Sequence, residues 1–221
     1  MSSDASGTAA ARAAAVGGNG SAIRAAGKEG EPGRREHVLD AALLTFARYG
    51  YRKASMDDVA RAADISRPGL YFLFSSKREL FRAAAVHALD SDVAAAERAL
   101  ADTGRPLHDR LIEAFDHWTG RYVGPPVREV AVVIESNPEL LGPLAAEYST
   151  RFAGLVTDAL TASAPAGREG VADDVAQTLL STATGIKYRA AGREEFLARM
   201  TTAVGLLLPA LKRAPGPRAT R

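Results

Sequence analysis

Ser55-Met56-Asp57-Asp58-Val59-Ala60-Arg61-Ala62-Ala63-Asp64-Ile65-Ser66-Arg67-Pro68-Gly69-Leu70-Tyr71-Phe72-Leu73-Phe74-Ser75-Ser76-Lys77-Arg78-Glu79-Leu80 reads as two short helices about a tight turn, then the start of a longer helix. Ser55 is placed to cap the first helix by accepting from an orphan N–H of its first turn. Asp57 and Asp58 follow at the positive end of the helix dipole, where carboxylates are favoured. Val59, Ala60 and Ala63 supply its buried face. Asp64 ends it, because Asp tolerates the left-handed conformation such turns require. Ser66 is the next N-cap, with Pro68 in the first turn, where its missing N–H costs nothing. Phe74 and Leu80 return to the core. Ser76 followed three residues later by Glu79 has the capping-box pattern. The unit is a helix-turn-helix, a motif whose second helix enters the DNA major groove.

The ordered set Gly50, Ser55, Val59-Ala60, Ala63, Ile65-Ser66, Gly69, Tyr71, Phe74, Lys77 and Leu80 resembles the DNA-binding region of the TetR family of bacterial transcriptional regulators. Two positions depart: Asp64 replaces the Gly usual in the turn, and Leu73 stands where many members carry His. The resemblance implies an all-α fold of about nine helices. A three-helix DNA-binding head would be followed by a helical body for effector binding and dimerisation. It also implies a homodimer on a palindromic operator in double-stranded DNA, a small-molecule effector, no cofactor, and a place at the bacterial nucleoid in the cytoplasm. Repression is the commoner sign of regulation in the family.

For DNA, phosphate contacts are expected from Ser55, through its hydroxyl and the helix N-terminus, and from Tyr71 and Lys77 at the matching family positions. Arg67 is the choice for a base edge, since a guanidinium bonds guanine O6 and N7 bidentately. Gly69 would allow close approach of the helix. Leu70 and Phe72 are further candidates, Phe72 equally for packing within the head as for a thymine methyl.

Composition narrows the classes. The chain has 221 residues and no cysteine, so disulfides, thiolate metal sites and cysteine nucleophiles are excluded, which suits a cytosolic protein. The longest apolar run, from Ala203 to Leu211 through Pro209, is too short for a bilayer, and Met1-Ser2-Ser3-Asp4 does not open a secretory signal. Residues 34–82 carry ten Lys/Arg against six Asp/Glu, a balance of +4 within a chain of net +2. A basic first domain on an acidic remainder fits a polyanionic partner for the first alone.

Residues 1–33, rich in Ala, Gly and Ser, read as a disordered tail. Helical spacing of Val38, Ala41-Ala42, Leu44-Thr45 and Phe46 gives a first helix from about Arg34 to Tyr49, completing a head over 34–82. The fourth helix runs from about Ser76 to Ala101. The body, 83–214, continues with Leu107 to Tyr122, Val127 to Ile134, Leu140 to Leu160, Val171 to Ile186 and Phe196 to Leu211, before a flexible basic tail at 215–221. No segment alternates as a strand would.

The family's pocket would fall where Phe115, Trp118, Tyr122, Tyr148 and Phe152 gather, with His117, Arg121, Glu135 and Thr182 as polar groups. Aromatic residues at helical spacing also build cores. The last two helices are expected to form the dimer interface through Ala176, Leu179, Ala183, Gly185 and Ile186, and through Met200, Val204, Leu207, Leu208 and Leu211. Part of that set must serve the monomer's own core. Glu113 with His117, and His87 with Ser91, give too few ligands for a metal.

Three rivals have distinct signatures. An enzyme would need a site, yet no sufficient His/Glu set, phosphate loop or nucleophile elbow is evident, and Gly17-Gly18-Asn19-Gly20 has no strand before it. An architectural DNA-binding protein without an effector would bind many sequences alike. A helical interaction module would show no salt-sensitive DNA binding.

Overall fold

The computed structural model of the protein describes residues 31–124 and 128–212. The chain divides into two units, Met1–Arg35 and Glu36–Arg221, and the following concerns the second. Its elements are α1 (Glu31–Tyr49, begun in the first unit), α2 (Met56–Ala62), α3 (Arg67–Leu73), α4 (Lys77–Ala101) and α5 (Leu107–Trp118). A 3-10 turn at Gly120–Tyr122 follows, then α6 (Arg128–Glu135), α7 (Pro138–Leu141), α8 (Leu144–Ser163), α9 (Glu169–Lys187), α10 (Arg193–Leu207) and α11 (Pro209–Lys212). The described residues contain no strand. The tails expected at 1–33 and 215–221 lie outside the described residues, apart from Glu31–Gly33, which already belong to α1.

Local chemistry sets the boundaries in the first half. Gly50 closes α1 at φ +76, its N–H donating to Phe46 O at 2.8 Å. Ser55 Oγ accepts from Asp58 N–H at 3.2 Å, while the Asp58 carboxylate accepts from Ser55 N–H at 2.9 Å and Oγ–H at 2.6 Å. These bonds hold the Asp58 carboxyl below its usual range. Asp64 adopts φ +50 in the turn, as its residue type suggested. Ser66 and Ser76 cap α3 and α4 by accepting from Gly69 and Glu79 N–H at 3.1 and 3.2 Å. The expected capping box at Ser76 is only half made, because the Glu79 carboxylate turns to the N–H and hydroxyl of Ser75 instead.

Two apolar clusters form. One joins Phe46, Val59, Leu70, Phe74, Leu80 and Phe81 with Val130 and Val133 of α6 and Leu140 and Leu141 of α7. Phe46 and Phe81 meet edge-on at 5.4 Å. The other gathers Phe115, Phe152, Leu160, Leu179, Phe196 and Met200 from α5, α8, α9 and α10. Arg110, buried beside it, donates from Nη1 to Leu100 O at 2.7 Å, satisfying a carbonyl in the last turn of α4.

The structure shifts several expected elements. In α1 Val38, Ala42, Thr45 and Phe46 are buried as expected and Leu39 and Leu43 join them, whereas Leu44 is 58% exposed. The helix from Leu107 stops at Trp118 rather than Tyr122. A Cβ at Gly120 would lie 2.5 Å from Asp116 Oδ1 and 3.0 Å from Phe196, so the glycine permits this close crossing of chain and α10. The long helix expected from Leu140 breaks at Gly142 (φ +60) and Pro143, and the last one at Pro209.

Candidate nucleic-acid interface and ligand cavity

α3 is seven residues long and is fastened by Leu70, which is fully buried in the first cluster. Leu70 is thus removed from the candidates for DNA contact. It stands four residues before Phe74 on the inward face of the helix, where side chains at that spacing stack. Its neighbours face outward: Tyr71 is 42% exposed and Phe72 89%. Packing within the head is therefore not what Phe72 does. Arg67 is exposed and oriented, with Nε 3.0 Å from Asp57 Oδ1, Nη1 donating to Oδ2 at 3.2 Å, and its guanidinium 5.6 Å from the Tyr71 ring centre. Gly69 leaves room for the cap, since a Cβ there would lie 3.1 Å from Ser66 Oγ.

Lys77 behaves differently from the phosphate ligand expected of it. Its ammonium donates to the carbonyls of Tyr51, Arg52 and Ala54 at 3.0, 3.3 and 3.0 Å, and lies 4.7 Å from the Tyr51 ring centre. An ammonium has three N–H donors, and three carbonyls take them. Lys77 is a clamp on the loop before α2, which corrects the carried-over role. Lys77→Met should lower the unfolding free energy by about 2 kcal/mol, the scale of losing charged hydrogen bonds, as read in a denaturant titration. A loss under about 0.5 kcal/mol, typical of surface changes, would remove the clamp assignment.

In the body, a cavity of about 240 Å³ opens between α4, the end of α5, α6, α8 and α9. Of the residues expected around a pocket, Trp118, Tyr122 and Glu135 line it. Phe115 and Phe152 do not: both are fully buried, 5.4 Å apart and edge-on, with Trp118 stacked on Phe152 at 5.0 Å. They are core because their helix faces meet each other rather than an opening. His117 is turned toward Glu113, with Nε2 3.8 Å from Oε1. Tyr148 donates its hydroxyl to Asp90 at 2.5 Å, and half-buried Thr182 lies outside the wall.

Sequence reasoning missed Asp92, Ser149, Thr184, Lys187 and Tyr188, which also line the cavity. Asp92 is 2% exposed. Its Oδ2 accepts from the Tyr122 hydroxyl at 2.6 Å and its Oδ1 from Arg121 Nη1 at 2.7 Å. Burial pushes the carboxyl up to about 6, although Tyr122, Arg121 and His117 all pull it down. Burial also raises the Tyr122 phenol, with the Asp92 charge adding to it. Two Asp, Asp90 and Asp92, interrupt the Ala-rich run Ala83 to Ala99, and that interruption was the available signal. At the other end of the wall Lys187 is paired with Glu135.

The proposed dimer residues are mostly spoken for within one chain. Ala176, Leu179, Ala183, Ile186, Met200, Val204 and Leu211 are buried in the second cluster, where α9 and α10 turn their apolar faces to α5 and α8. Leu207 and Leu208 are half-buried, and Gly185 is exposed. The outward large apolar side chains nearby are Tyr188, 62% exposed, and Leu206, 75%. Among the described residues, no group of three or more His, Cys, Asp or Glu could hold a metal. No described helix is long and apolar enough to cross a membrane.

The family model "Bacterial regulatory proteins, tetR family" matches residues 38–84. A stretch of 84 residues is 39% identical to the HTH-type transcriptional activator FasR of Mycolicibacterium smegmatis, covering 37% of this chain and 38% of FasR's own length. Over 149 residues the chain is 31% identical to the HTH-type transcriptional repressor Rv1474c of Mycobacterium tuberculosis, covering 66% of this chain and 74% of that protein. A crystal structure of a transcriptional regulator from Rhodococcus sp. Rha1 superposes with a TM-score of 0.63 at 19% identity, over 82% of this chain and 99% of that one.

Proposed function

The chain belongs to the TetR family of bacterial regulatory proteins, and from that premise we propose that it is a homodimeric transcriptional regulator that reads a palindromic operator and is released by a small molecule. What carries the reading is the outward face of α3, where Arg67, Tyr71 and Phe72 stand exposed while Leu70 anchors the helix from behind. Residues 34–82 act as the DNA-reading head and 83–214 as the body. Arg67 takes the base edge, Phe72 an apolar base contact and Tyr71 a phosphate, while Ser55, whose N–H and hydroxyl both donate to Asp58, contributes only through the helix N-terminus it caps; Asp57 keeps the Arg67 guanidinium in position meanwhile. The sign is repression, as in the name of the Mycobacterium tuberculosis relative, although FasR is named an activator.

Dimerisation uses the exposed side of α9 and α10. Tyr188 and Leu206 supply apolar area there, while Gly185 and Gly205 have open space where a side chain would stand. In the mechanism, α4 supplies Ala88, Leu89 and Asp92 to the cavity and Leu80, Phe81 and Ala84 to the core beneath α3. An effector that binds better to one body shape shifts the population toward it. The half-sites of a duplex stand about 34–36 Å apart, so a tilt of α4 that changes the spacing of the two reading helices weakens binding.

Genome-wide capture of bound DNA followed by footprinting tests the proposal. One discrete palindrome with salt-sensitive affinity supports it, and equal binding to unrelated sequences would overturn it in favour of an architectural role. Arg67→Ala should relax preference at one base pair per half-site, by about 1–3 kcal/mol. A selection in which that variant recovers an unchanged site would remove the base-reading role.

A further inference from the structure

The cavity wall is electrically and chemically lopsided. Two carboxylates face it, Asp92 and Glu135, against one ammonium, Lys187, whose charge Glu135 already takes. Arg121, the cation bonded to Asp92, is absent from this wall; it lines a separate surface hollow with Asp40, His87 and Asp92. Seen from inside, the carboxylate with accepting capacity to spare is Asp92, paired with Arg121 from the far side and with Tyr122 beside it. Each carboxylate oxygen has two acceptor sites, and Arg121 and Tyr122 occupy one apiece.

The remaining surface is aromatic and small. Trp118 is held flat by its stack on Phe152, and Tyr122 and Tyr188 complete three rings about the opening. Ring faces attract cations, most strongly where water is excluded. A volume of about 240 Å³ lies below the roughly 300–1,000 Å³ of sites for drug-sized ligands.

We infer that the cavity takes a small aromatic amine in its cationic form, the ring against Trp118 and the ammonium donating to Asp92. This rests on reading the cavity as the effector site and names the class of ligand it would accept. Burial disfavours the ionised form of Asp92 in the empty cavity, so an arriving cation gains more there than at an exposed carboxylate. An anionic ligand would meet Asp92 at close range and find Lys187 already engaged.

The test is calorimetric titration of the full chain at neutral pH with three indole probes of matched chain length: tryptamine, tryptophol and indole-3-acetate. Tryptamine should bind roughly tenfold or more tighter than tryptophol, the scale of a charged hydrogen bond in a dry site, with the acid weakest. Asp92→Asn should reduce the tryptamine advantage to within about twofold. If that variant does not fold, the series on the unaltered chain decides alone. Equal or tighter binding of the alcohol or the acid overturns the charge preference while leaving an effector cavity standing. Failure of all three to bind overturns the aromatic-amine assignment alone, since the regulator reading stands or falls on the footprinting experiment.

Discussion

Changing Phe152 to alanine is expected to lower the unfolding free energy by about 3–5 kcal/mol, the cost of removing a fully buried aromatic ring and leaving a void. The ring is sealed between Phe115, edge-on at 5.4 Å, and Trp118, stacked at 5.0 Å. Denaturant unfolding followed by far-ultraviolet circular dichroism measures the loss, and Trp118 fluorescence should change in parallel. A cost below about 1 kcal/mol would mean that the ring borders open space, which would return Phe152 to the cavity wall.

The second expectation concerns acid. Asp92 titrates at about 6 in the folded protein against 3.8 for an ordinary Asp, chiefly because it is buried. Between those values the folded state holds the proton more tightly than the unfolded chain, so this group makes stability fall as pH rises toward 6 and a little beyond. Asparagine keeps one accepting oxygen for Arg121, its amide N–H can donate to the Tyr122 hydroxyl once that hydroxyl turns, and it cannot ionise. The stability of Asp92→Asn relative to the parent protein should therefore improve between about pH 4 and pH 7, by up to about 3 kcal/mol. Taking the difference between the two proteins cancels the other titrating groups. A relative stability that stays flat or moves the opposite way over that range would show that the carboxylate is better solvated than its position suggests.

How far such details were readable beforehand depended on their range along the chain. Ser55, Asp64, Ser66 and Ser76 act on backbone groups within four residues of themselves, and each could be assigned from residue type and offset alone. Lys77 bonds carbonyls 23 to 26 residues away, and no local pattern distinguishes a clamp from an exposed cation. Leu179, Met200 and Val204 lie on stripes of correct period. A period says that a face is covered without saying whether its own chain or a second copy covers it. The two breaks at Gly142-Pro143 and Leu208-Pro209 carried their own signal in proline, outweighed by the long apolar run around each. Asp92 was hidden for a further reason: an acid in a helix is ordinarily wet, whereas this one is buried and its oxygens are taken by Arg121 and Tyr122, 29 and 30 residues away.

α6 is eight residues long, and its two sides answer to different parts of the molecule. Ala131, Ile134 and Glu135 border the cavity, while Val130 and Val133 are inserted among the side chains that support α3. A helix turns as a stiff rod, so a guest that shoulders one side must roll the other by a similar angle. The scaffold beneath the reading helix would then feel an occupant without waiting for α4, and a protein cut after Arg82 would lose both that crank and part of the lid over its own interior.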